Sequence, residues 1–346
     1  MSYLYDEIHE QPQVIARLIS EESKPIARIA ADLRQREIQY ILIAARGTSD
    51  NVATYGKYLF ATTLHLPVAL AAPSLYTIYR TPPRTGKGAL VIGISQSGES
   101  PDIVSVVGEA ARQGAATLAI TNEPGSPLAQ SAEHVIACHA GKELSVAATK
   151  TYTAQLTALA LLSAHWSDWE ERKSEVQLLP EAVERTLELG DTVRQHSERY
   201  RYMEACVVLG RGYNYGTAHE IALKIKELSY LLMDSYSPAD FKHGPIAVIE
   251  QGFPVILVAP SGQVFADMLS LAGELAEQGA ELIAISDRQE ALEMAVSPLP
   301  LPVTMPEWLS PIVAVIPGQL LAHDLTVAKG YDPDHPRGLR KVTLTR

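Results

Sequence analysis

The stretch GEAARQGAATLAITN at residues 108–122 recurs as GELAEQGAELIAISD at residues 273–287, with eight of the fifteen positions identical. The two copies are 165 residues apart, and Arg46-Gly47 falls on Arg211-Gly212 at the same offset. A constant offset in two separated segments indicates that a whole domain was duplicated. The apolar run at the end of each copy predicts a strand at the same place in both domains.

Apolar runs alternate with longer amphipathic stretches along the chain, a pattern typical of parallel sheets covered by helices. In the first half, strands are predicted at 40–46, 67–72, 89–95, 116–121 and 134–139. In the second half, strands are predicted at 205–210, 254–260 and 281–286, with a weaker one at 299–305. The charged segment 164–200 has no strand pattern, which predicts a helical connection with a solvated face.

Composition excludes several classes of protein. The 346 residues fit two domains of about 150 each. A net charge of −11 argues against a general nucleic-acid binder, whose affinity depends on basic surface. The N-terminus lacks the apolar core of a signal peptide, and no apolar run reaches the ~18 residues of a membrane span. Cys138 and Cys206 lie in apolar runs, which predicts buried strand residues in a reducing compartment, and we expect a cytoplasmic protein.

Polar loops follow two of the predicted strands. The strand at 89–95 runs into SQSGES (95–100), and Pro101-Asp102 then suits the start of a helix. The loop offers side chains for hydrogen bonding and a glycine that permits close approach of the backbone: Ser95, Gln96, Ser97, Ser100 and Gly98. A helix N-terminus next to hydroxyls suits an anion, above all a phosphate monoester, although an ordinary cap and turn has the same composition.

Two further loops are expected at the same sheet edge, where ligands of open parallel sheets bind. Thr48 and Ser49 follow the strand at 40–46 in the loop GTSDN (47–51). The loop GKELSVAATKTYT (141–153) offers Thr149 and the backbone around Val146–Ala148. Lys150 at the end of this loop is interpreted as solvated, with phosphate binding as the alternative.

The second half contains a group of residues suited to proton transfer. In the predicted helix 221–230, Lys224 and Glu227 share a face with Glu220, and His243 follows in a turn bounded by glycine and proline. An amine, a carboxylate and an imidazole are the groups needed to open a sugar ring and move a proton between adjacent carbons. For the lysine–glutamate pair alone, the alternative is a surface ion pair.

Motifs for common cofactors are missing. The chain has no G-x-x-x-x-G-K-[ST] phosphate loop. GRGYNYG (210–216) has Tyr215 where a dinucleotide fingerprint needs its third glycine. No group of His, Cys, Asp and Glu has metal-ligand spacing in the sequence. We therefore predict neither a cofactor nor a metal.

Several motifs together resemble the double sugar-isomerase (SIS) family, in the form of the isomerase half of glucosamine-6-phosphate synthase (glutamine:fructose-6-phosphate amidotransferase). They are GTS (47–49), SQSGES (95–100), ITNEPGSPL (120–128), VAATK (146–150), ALKIKELSY (222–230), FKHGPIAVI (241–249) and DPDHPRGLRKVTL (332–344). The resemblance covers nearly the whole chain. It implies an α/β fold of two tandem flavodoxin-like SIS domains, at 1–165 and 201–330, joined by helices at 166–200, with a tail at 331–346 that contributes to the site.

The resemblance also implies roles for individual residues. Glu227 would carry the proton between C1 and C2 with help from Lys224, His243 would open the ring from the neighbouring subunit of a homodimer, and Lys341 would form an imine with the open-chain ketose. The sugar phosphate would be bound by Thr48, Ser49, Ser95, Gln96, Ser97, Ser100, Val146, Ala148 and Thr149. Because an imine-forming lysine must be neutral, a second cation such as Lys224 or Arg340 is expected beside it.

The sequence departs from the family pattern in four places. Ala148 stands where a serine is usual, Asp240 where a glutamate is usual, and Arg46 where a cysteine is usual. The sequence also begins without the glutaminase domain of the synthases. We therefore expect a stand-alone isomerase/deaminase that converts glucosamine 6-phosphate to fructose 6-phosphate and ammonia. The alternatives are a deglycase of fructosamine 6-phosphates, a galactosamine-6-phosphate deaminase/isomerase, and a non-enzymatic phosphosugar sensor.

Overall fold

The computed structural model describes residues 2–341, which form two compact units named here after their sheets. The N-terminal sheet unit consists of Gln13–Glu143, Lys150–Leu178 and the described residues of Arg340–Arg346. The C-terminal sheet unit consists of Leu144–Thr149, Leu179–Leu339 and the described residues of Met1–Pro12. Because the units interleave along the chain, the domain boundaries set out from the sequence stay predictions.

Each unit contains one parallel five-stranded sheet. The first has the order β2-β1-β3-β4-β5, with β1 (Tyr40–Ala44), β2 (Val68–Leu70), β3 (Ala89–Ile94), β4 (Ala116–Thr121) and β5 (His134–Ala137). The second has the order β10-β9-β8-β6-β7, with β6 (Ala205–Leu209), β7 (Leu232–Tyr236), β8 (Pro254–Val258), β9 (Glu281–Ser286) and β10 (Ser297–Pro300). The predicted α/β class with two parallel sheets is confirmed.

Helices flank both sheets. Those up to the middle of the chain are α1 (Tyr3–His9), α2 (Gln11–Arg34), α3 (Thr48–Leu64), α4 (Ser74–Thr77), α5 (Pro101–Arg112), α6 (Pro127–Ser131) and α7 (Lys150–Trp166). The remainder are α8 (Glu170–Val176), α9 (Leu179–Leu187), α10 (Gly190–Arg199), α11 (Tyr215–Ser229), α12 (Pro238–Lys242), α13 (Phe265–Glu277), α14 (Gln289–Glu293) and α15 (Ser310–Ala328). Three of these helices, α8 to α10, occupy most of the segment predicted to be helical and strand-free.

The duplication is visible element by element. Strands β1 and β6 begin and end 165 residues apart, as do β4 and β9. All six residues of β3 and all six of β4 are buried, as expected for central strands with helices on both faces. In the second copy, α11 corresponds to α3, so each residue on the charged face of α11 can be compared with one on α3.

Two strand predictions need correction. Strand β7 was missed, because LMDSY mixes polar and apolar residues at a sheet edge and carries no clear apolar run. The weak strand predicted at 299–305 is the edge strand β10, which begins two residues earlier and ends at Pro300. Pro302 follows closely and has no N–H with which to continue a ladder.

Helix α15 forms the core of the C-terminal sheet unit and packs against α9, α10 and α11. Within the described part of the chain, it is the one helix that by length and composition could cross a membrane, and 89% of its apolar stretch is buried. The sequence did not show this helix as a candidate, because Gln319, His323 and Asp324 interrupt its apolar run. The apolar composition of α15 is explained by its burial in the core of the unit. Gly318 leaves room for Ile221 of α11, since a Cβ there would lie 2.4 Å from the Ile221 Cγ1 atom.

Both cysteines are buried free thiols, as the sequence predicted. Cys206 lies in β6, whereas Cys138 lies one residue beyond the end of β5. Burial raises the pKa of Cys206 to about 12 and also raises that of Cys138. Both thiols are therefore packing residues and not nucleophiles.

Candidate functional site

The loop after β3 is held in a tight shape by its own hydroxyls. The Ser95 Oγ atom accepts a hydrogen bond from the Gly98 N–H at 3.1 Å, and Ser97 Oγ accepts one from Glu99 at 3.3 Å. Gly98 has a φ of +64°, and a Cβ there would lie 2.0 Å from Ser126 Oγ, so only glycine fits. Ser100 stands at the N-cap of α5 without a side-chain capping bond. The first turn of α5 therefore points backbone N–H groups toward this loop, as an anion site requires.

A cavity of about 440 Å³ opens beside this loop in the N-terminal sheet unit. Gln96, Ser97 and Ser126 line it, together with Lys341 from the end of the described chain. The structure thus brings the predicted imine lysine to the predicted phosphate loop. Residues 342–344 of the same tail motif lie outside the described residues.

The other predicted phosphate ligands, Thr48 and Ser49, lie in the first turn of α3 and not in a loop. The Ser49 hydroxyl is buried and donates to Gln155 Oε1 of α7 at 3.1 Å, while Thr48 is half-buried. Gly47, at the N-cap, has a φ of +55°. This turn sits at the carboxyl end of β1, next to β3 in the sheet.

Arg46 ties this turn to the phosphate loop. Its Nε atom donates to the Asp102 carboxylate at 2.8 Å, and Asp102 is fully buried in the first turn of α5. The second copy repeats the contact 165 residues later, between Arg211 and Asp267. We call this contact the Arg–Asp bridge. The repeat in the sequence aligns the two arginines, but their aspartate partners were not predicted.

Lys341 is paired with a buried carboxylate. Its Nζ atom lies 2.8 Å from Glu143 Oε2, and the Glu143 side chain is 0% exposed while that of Lys341 is 24% exposed. Glu143 also accepts hydrogen bonds from the backbone N–H and the hydroxyl of Thr151, at 3.1 and 2.8 Å. Sequence reasoning expected a cation beside this lysine and missed the carboxylate. Arg340, one of the two cations suggested, is exposed.

The loop 144–149 belongs to the C-terminal sheet unit, where Val146 and Ala148 are half-buried and Thr149 is buried. Glu7 of α1 accepts backbone hydrogen bonds from Leu144 and Ser145 and so fixes the loop. Glu7 was missed because nothing in its local sequence distinguishes it from a solvated acidic residue.

Lys150 is buried, which corrects the prediction of a solvated lysine. Its ammonium donates to the Lys142 carbonyl at 2.8 Å, so the helix-start lysine closes the preceding loop and does not face water.

On α11, a buried ammonium lies between two carboxylates. Lys224 Nζ is 2.6 Å from Glu227 Oε2 and 3.6 Å from Glu220 Oε1. The side chains of Lys224, Glu220 and Glu227 are 2%, 0% and 25% exposed, so the interpretation as a surface ion pair is wrong. At the positions of α3 equivalent to Glu220 and Lys224, the first copy has Tyr55 and Leu59, both buried. The fold therefore accepts uncharged residues here, and the charges in the second copy need a functional explanation.

His243 is exposed at the C-cap of α12, and its backbone N–H donates to Asp240 at 3.1 Å. Its side chain makes no hydrogen bond with the residues from 2 to 341. Gly244, next in the chain, has a φ of +133° and shapes the turn. The imidazole is thus free to meet a sugar or another subunit, and its role in ring opening stays a prediction.

One cluster outside these loops has metal-ligand geometry, which the sequence did not predict. The ligand atoms of Asp32, Glu133 and His134 lie within 4.8 Å of one another. Arg36 pairs with Asp32 at 2.8 Å and with Glu133, and its hydrogen bond lowers the pKa of Glu133. A guanidinium already neutralises these carboxylates, so the cluster is an ion-pair network.

Comparison with known proteins identifies the family. Residues 32–164 and 204–328 match the SIS domain, and these two segments contain the two sheets. The chain belongs to the SIS domain family. Both copies of the duplication are therefore SIS domains.

Curated relatives of this SIS chain are aminotransferases. A glutamine–fructose-6-phosphate aminotransferase (isomerizing) of Thermus thermophilus is 37% identical over 353 residues, which cover 98% of this chain and 58% of that protein. The enzyme of the same name from Thermococcus kodakarensis is 37% identical over 348 residues, covering 98% and 57%. The SIS chain thus spans less than two thirds of the length of these relatives.

Solved structures of similar proteins also match this chain over nearly its whole length. A protein from Silicibacter pomeroyi DSS-3, described provisionally as a phosphosugar isomerase, matches with a TM-score of 0.88 and 34% identity over 96% of this chain and 100% of that one. The C-terminal domain of glucosamine-fructose-6-phosphate aminotransferase from Francisella tularensis matches with a TM-score of 0.85 and 28% identity, over 97% and 98%. The resemblance inferred from the motifs is confirmed.

Proposed function

We propose that this chain is a phosphosugar isomerase of the kind found in the isomerase half of the aminotransferases. In its specific form, the proposal is that the chain converts glucosamine 6-phosphate and water to fructose 6-phosphate and ammonia. The observation that carries it is the cavity in which Lys341 meets Gln96 and Ser97 at the start of α5. A nucleophilic amine close to an anion site is what a ketose phosphate needs to form an imine.

The phosphate end of the substrate is assigned to the loop after β3. Serine hydroxyls, the side-chain amide of Gln96 and backbone N–H groups at the start of α5, which Ser100 does not cap, offer several donors to one anion. Anchoring the phosphate fixes the distance of the reacting carbons from the groups that act on them, which supplies much of the rate enhancement in such reactions.

The proton transfer is assigned to Glu227. Its carboxylate is partly exposed, so a sugar can reach it, and a hydrogen bond from the Lys224 ammonium at 2.6 Å holds it in place. Glu227 would remove the C2 proton and return it to C1, and the resulting C2 imine would exchange with Lys341 or water. His243 would open the ring, which as an exposed residue it could do for a neighbouring subunit in a homodimer. We place this chemistry in the cytoplasm.

The names of the relatives support an amino-sugar phosphate as the substrate. They do not bring glutamine hydrolysis to this chain, because the match spans only 58% of the first relative. When the chain is assayed without a supply of ammonia, mass action favours deamination over amination.

The test is ammonium release from a panel of glucosamine, galactosamine and fructosamine 6-phosphates. We expect glucosamine 6-phosphate to release ammonium and to yield fructose 6-phosphate. Preferential turnover of another member would change the assigned substrate and keep the isomerase. Tight binding of the panel without turnover of any member would replace the enzyme with a sensor.

A further inference from the structure

The contact between Glu143 and Lys341 has the geometry of a proton-transfer pair. The two charged atoms are 2.8 Å apart, and the carboxylate is fully removed from solvent. Two hydrogen bonds from Thr151 hold the carboxylate in one orientation. Glu99 and Glu123 line the cavity beside Lys341, but both are exposed side chains in water, whereas Glu143 lies behind the lysine and is buried. Glu143 is therefore the carboxylate that combines burial, a fixed orientation and contact with the amine.

An imine between a lysine and a ketose requires proton movements in both directions. The ammonium must lose a proton before its nitrogen can attack the carbonyl carbon. The carbinolamine that forms must then gain a proton on its hydroxyl before water can leave. A single group in contact with the nitrogen can serve both steps, first as base and then as acid.

We propose that Glu143 is the acid–base residue for imine formation at Lys341, an inference that rests on the role of Lys341 in the proposed function. The carboxylate takes a proton from the Lys341 ammonium, and the neutral amine adds to C2 of the open-chain ketose. A proton passes from the nitrogen to the former carbonyl oxygen and gives a neutral carbinolamine. The Glu143 carboxylic acid then protonates the hydroxyl, water leaves, and a protonated imine faces the regenerated carboxylate. The pair begins and ends with one positive and one negative charge.

A purely structural role for Glu143 is the alternative, because its Oε1 atom accepts from the backbone N–H of Thr151 in the first turn of α7. Substitution separates the two roles. In Glu143→Gln the amide oxygen can still accept from Thr151, but the side chain can no longer take a proton. In Glu143→Asp the carboxylate remains, but its distance from Thr151 and Lys341 changes.

The experiment is borohydride trapping of the imine with fructose 6-phosphate, with the modified lysine located by peptide mass spectrometry. We expect the parent protein to be trapped at Lys341. We expect Glu143→Gln to be trapped about 10²- to 10⁴-fold more slowly, the usual contribution of general acid–base catalysis. Its affinity for fructose 6-phosphate, measured by calorimetry, should be unchanged. Glu143→Asp should be trapped faster than Glu143→Gln.

The matched control is Glu22→Gln. Glu22 is also a buried carboxylate of the N-terminal sheet unit, 2.7 Å from His139 Nε2, and it has no part in the proposed chemistry. This variant should be trapped at the parent rate. Circular dichroism establishes which variants are folded. If Glu143→Gln does not fold, the trapping rate of Glu143→Asp is compared with that of the parent protein instead.

Several results would overturn the assignment: trapping of Glu143→Gln at the parent rate, trapping of Glu143→Asp no faster than Glu143→Gln, or trapping of the parent at a different lysine or at none. Ammonium release from glucosamine 6-phosphate reports separately on the whole reaction. If trapping follows the expected pattern but no ammonium is released, the proposed deamination fails and the role of Glu143 stands.

Discussion

Removing the buried ammonium of Lys224 alone should destabilise α11 far more than removing Lys224 and Glu220 together. In Lys224→Met the side chain keeps its length, but Glu220 and Glu227 lose the cation that lies 3.6 and 2.6 Å from them. Glu220 is fully buried, so its charge must stay in a poorly solvating interior or be neutralised.

Breaking a buried ion pair by removing one partner costs about 3–5 kcal/mol, whereas replacing both partners with neutral residues of similar volume is often neutral or stabilising. Because Glu227 is partly exposed and water can relieve its charge, we take the lower end, about 3 kcal/mol. At about 1.4 kcal/mol per factor of ten, this is a ~100-fold change in an opening equilibrium. The double variant Glu220→Gln/Lys224→Met should regain most of the loss, as the uncharged residues Tyr55 and Leu59 at the equivalent positions of α3 suggest.

Native-state hydrogen exchange at the amides of α11 measures this difference directly, because it reports local opening in a protein of two units. The single variant should lose ~100-fold protection and the double variant should regain most of it. Equal protection in the parent and in Lys224→Met would refute the buried-charge argument. Both variants should also lose ammonium release, since both remove the cation beside Glu227.

The remaining predictions concern a loop glycine, a half-buried histidine and the sharing of the site between subunits. Gly98→Ala should weaken fructose 6-phosphate binding in calorimetry, because its Cβ would lie 2.0 Å from Ser126 Oγ and its φ of +64° is unfavourable; unchanged affinity would exclude this loop from the phosphate site. Burial lowers the pKa of His219 in the folded protein, so this histidine binds a proton more readily in the unfolded chain. The contribution of His219 to the free energy of unfolding is therefore complete above about pH 6.5, the pKa in the unfolded chain. It falls as the pH drops toward the lower pKa of the folded protein. His219→Gln should flatten that part of a stability–pH curve measured by urea unfolding, and an unaltered slope would contradict the assignment. Mixed dimers of inactive His243→Ala and Glu227→Gln chains should regain partial ammonium release, whereas verified mixed dimers without activity would point to a site within one chain.

The fold was largely predictable because it is periodic at two levels. Apolar runs predicted nine of the ten strands found in residues 2–341, and the 165-residue repeat showed which strands correspond. Strand β7 lacks an apolar run, but β2 shifted by the same offset falls at 233–235, inside Leu232–Tyr236. The position of β7 could therefore have been predicted from the repeat, although not from the local sequence pattern.

The candidate site was predictable only where its residues are close in sequence. SQSGES and the charged face of α11 are local motifs, and both were found. The partners of these motifs are distant: Glu143 and Lys341 are 198 residues apart, and Glu7 and Ser145 are 138 apart. Such pairs form through tertiary packing, which cannot be inferred from composition or spacing. Glu143, the carboxylate beside Lys341, was therefore identified only in the structure.

The Arg–Asp bridge occurs in both copies, although the loops beside it differ. The first copy has SQSGES (95–100), and the second has PSGQ (260–263) at the same 165-residue offset. The turn is thus fastened by a contact that does not depend on which residues occupy the neighbouring loop. The contact that holds the turn is therefore separate from the loop residues that would bind a ligand. After duplication, one domain could gain or lose a ligand through changes in its loop while its turn kept the same fold. Designers who wish to graft new loops onto this scaffold should keep both arginines and both aspartates.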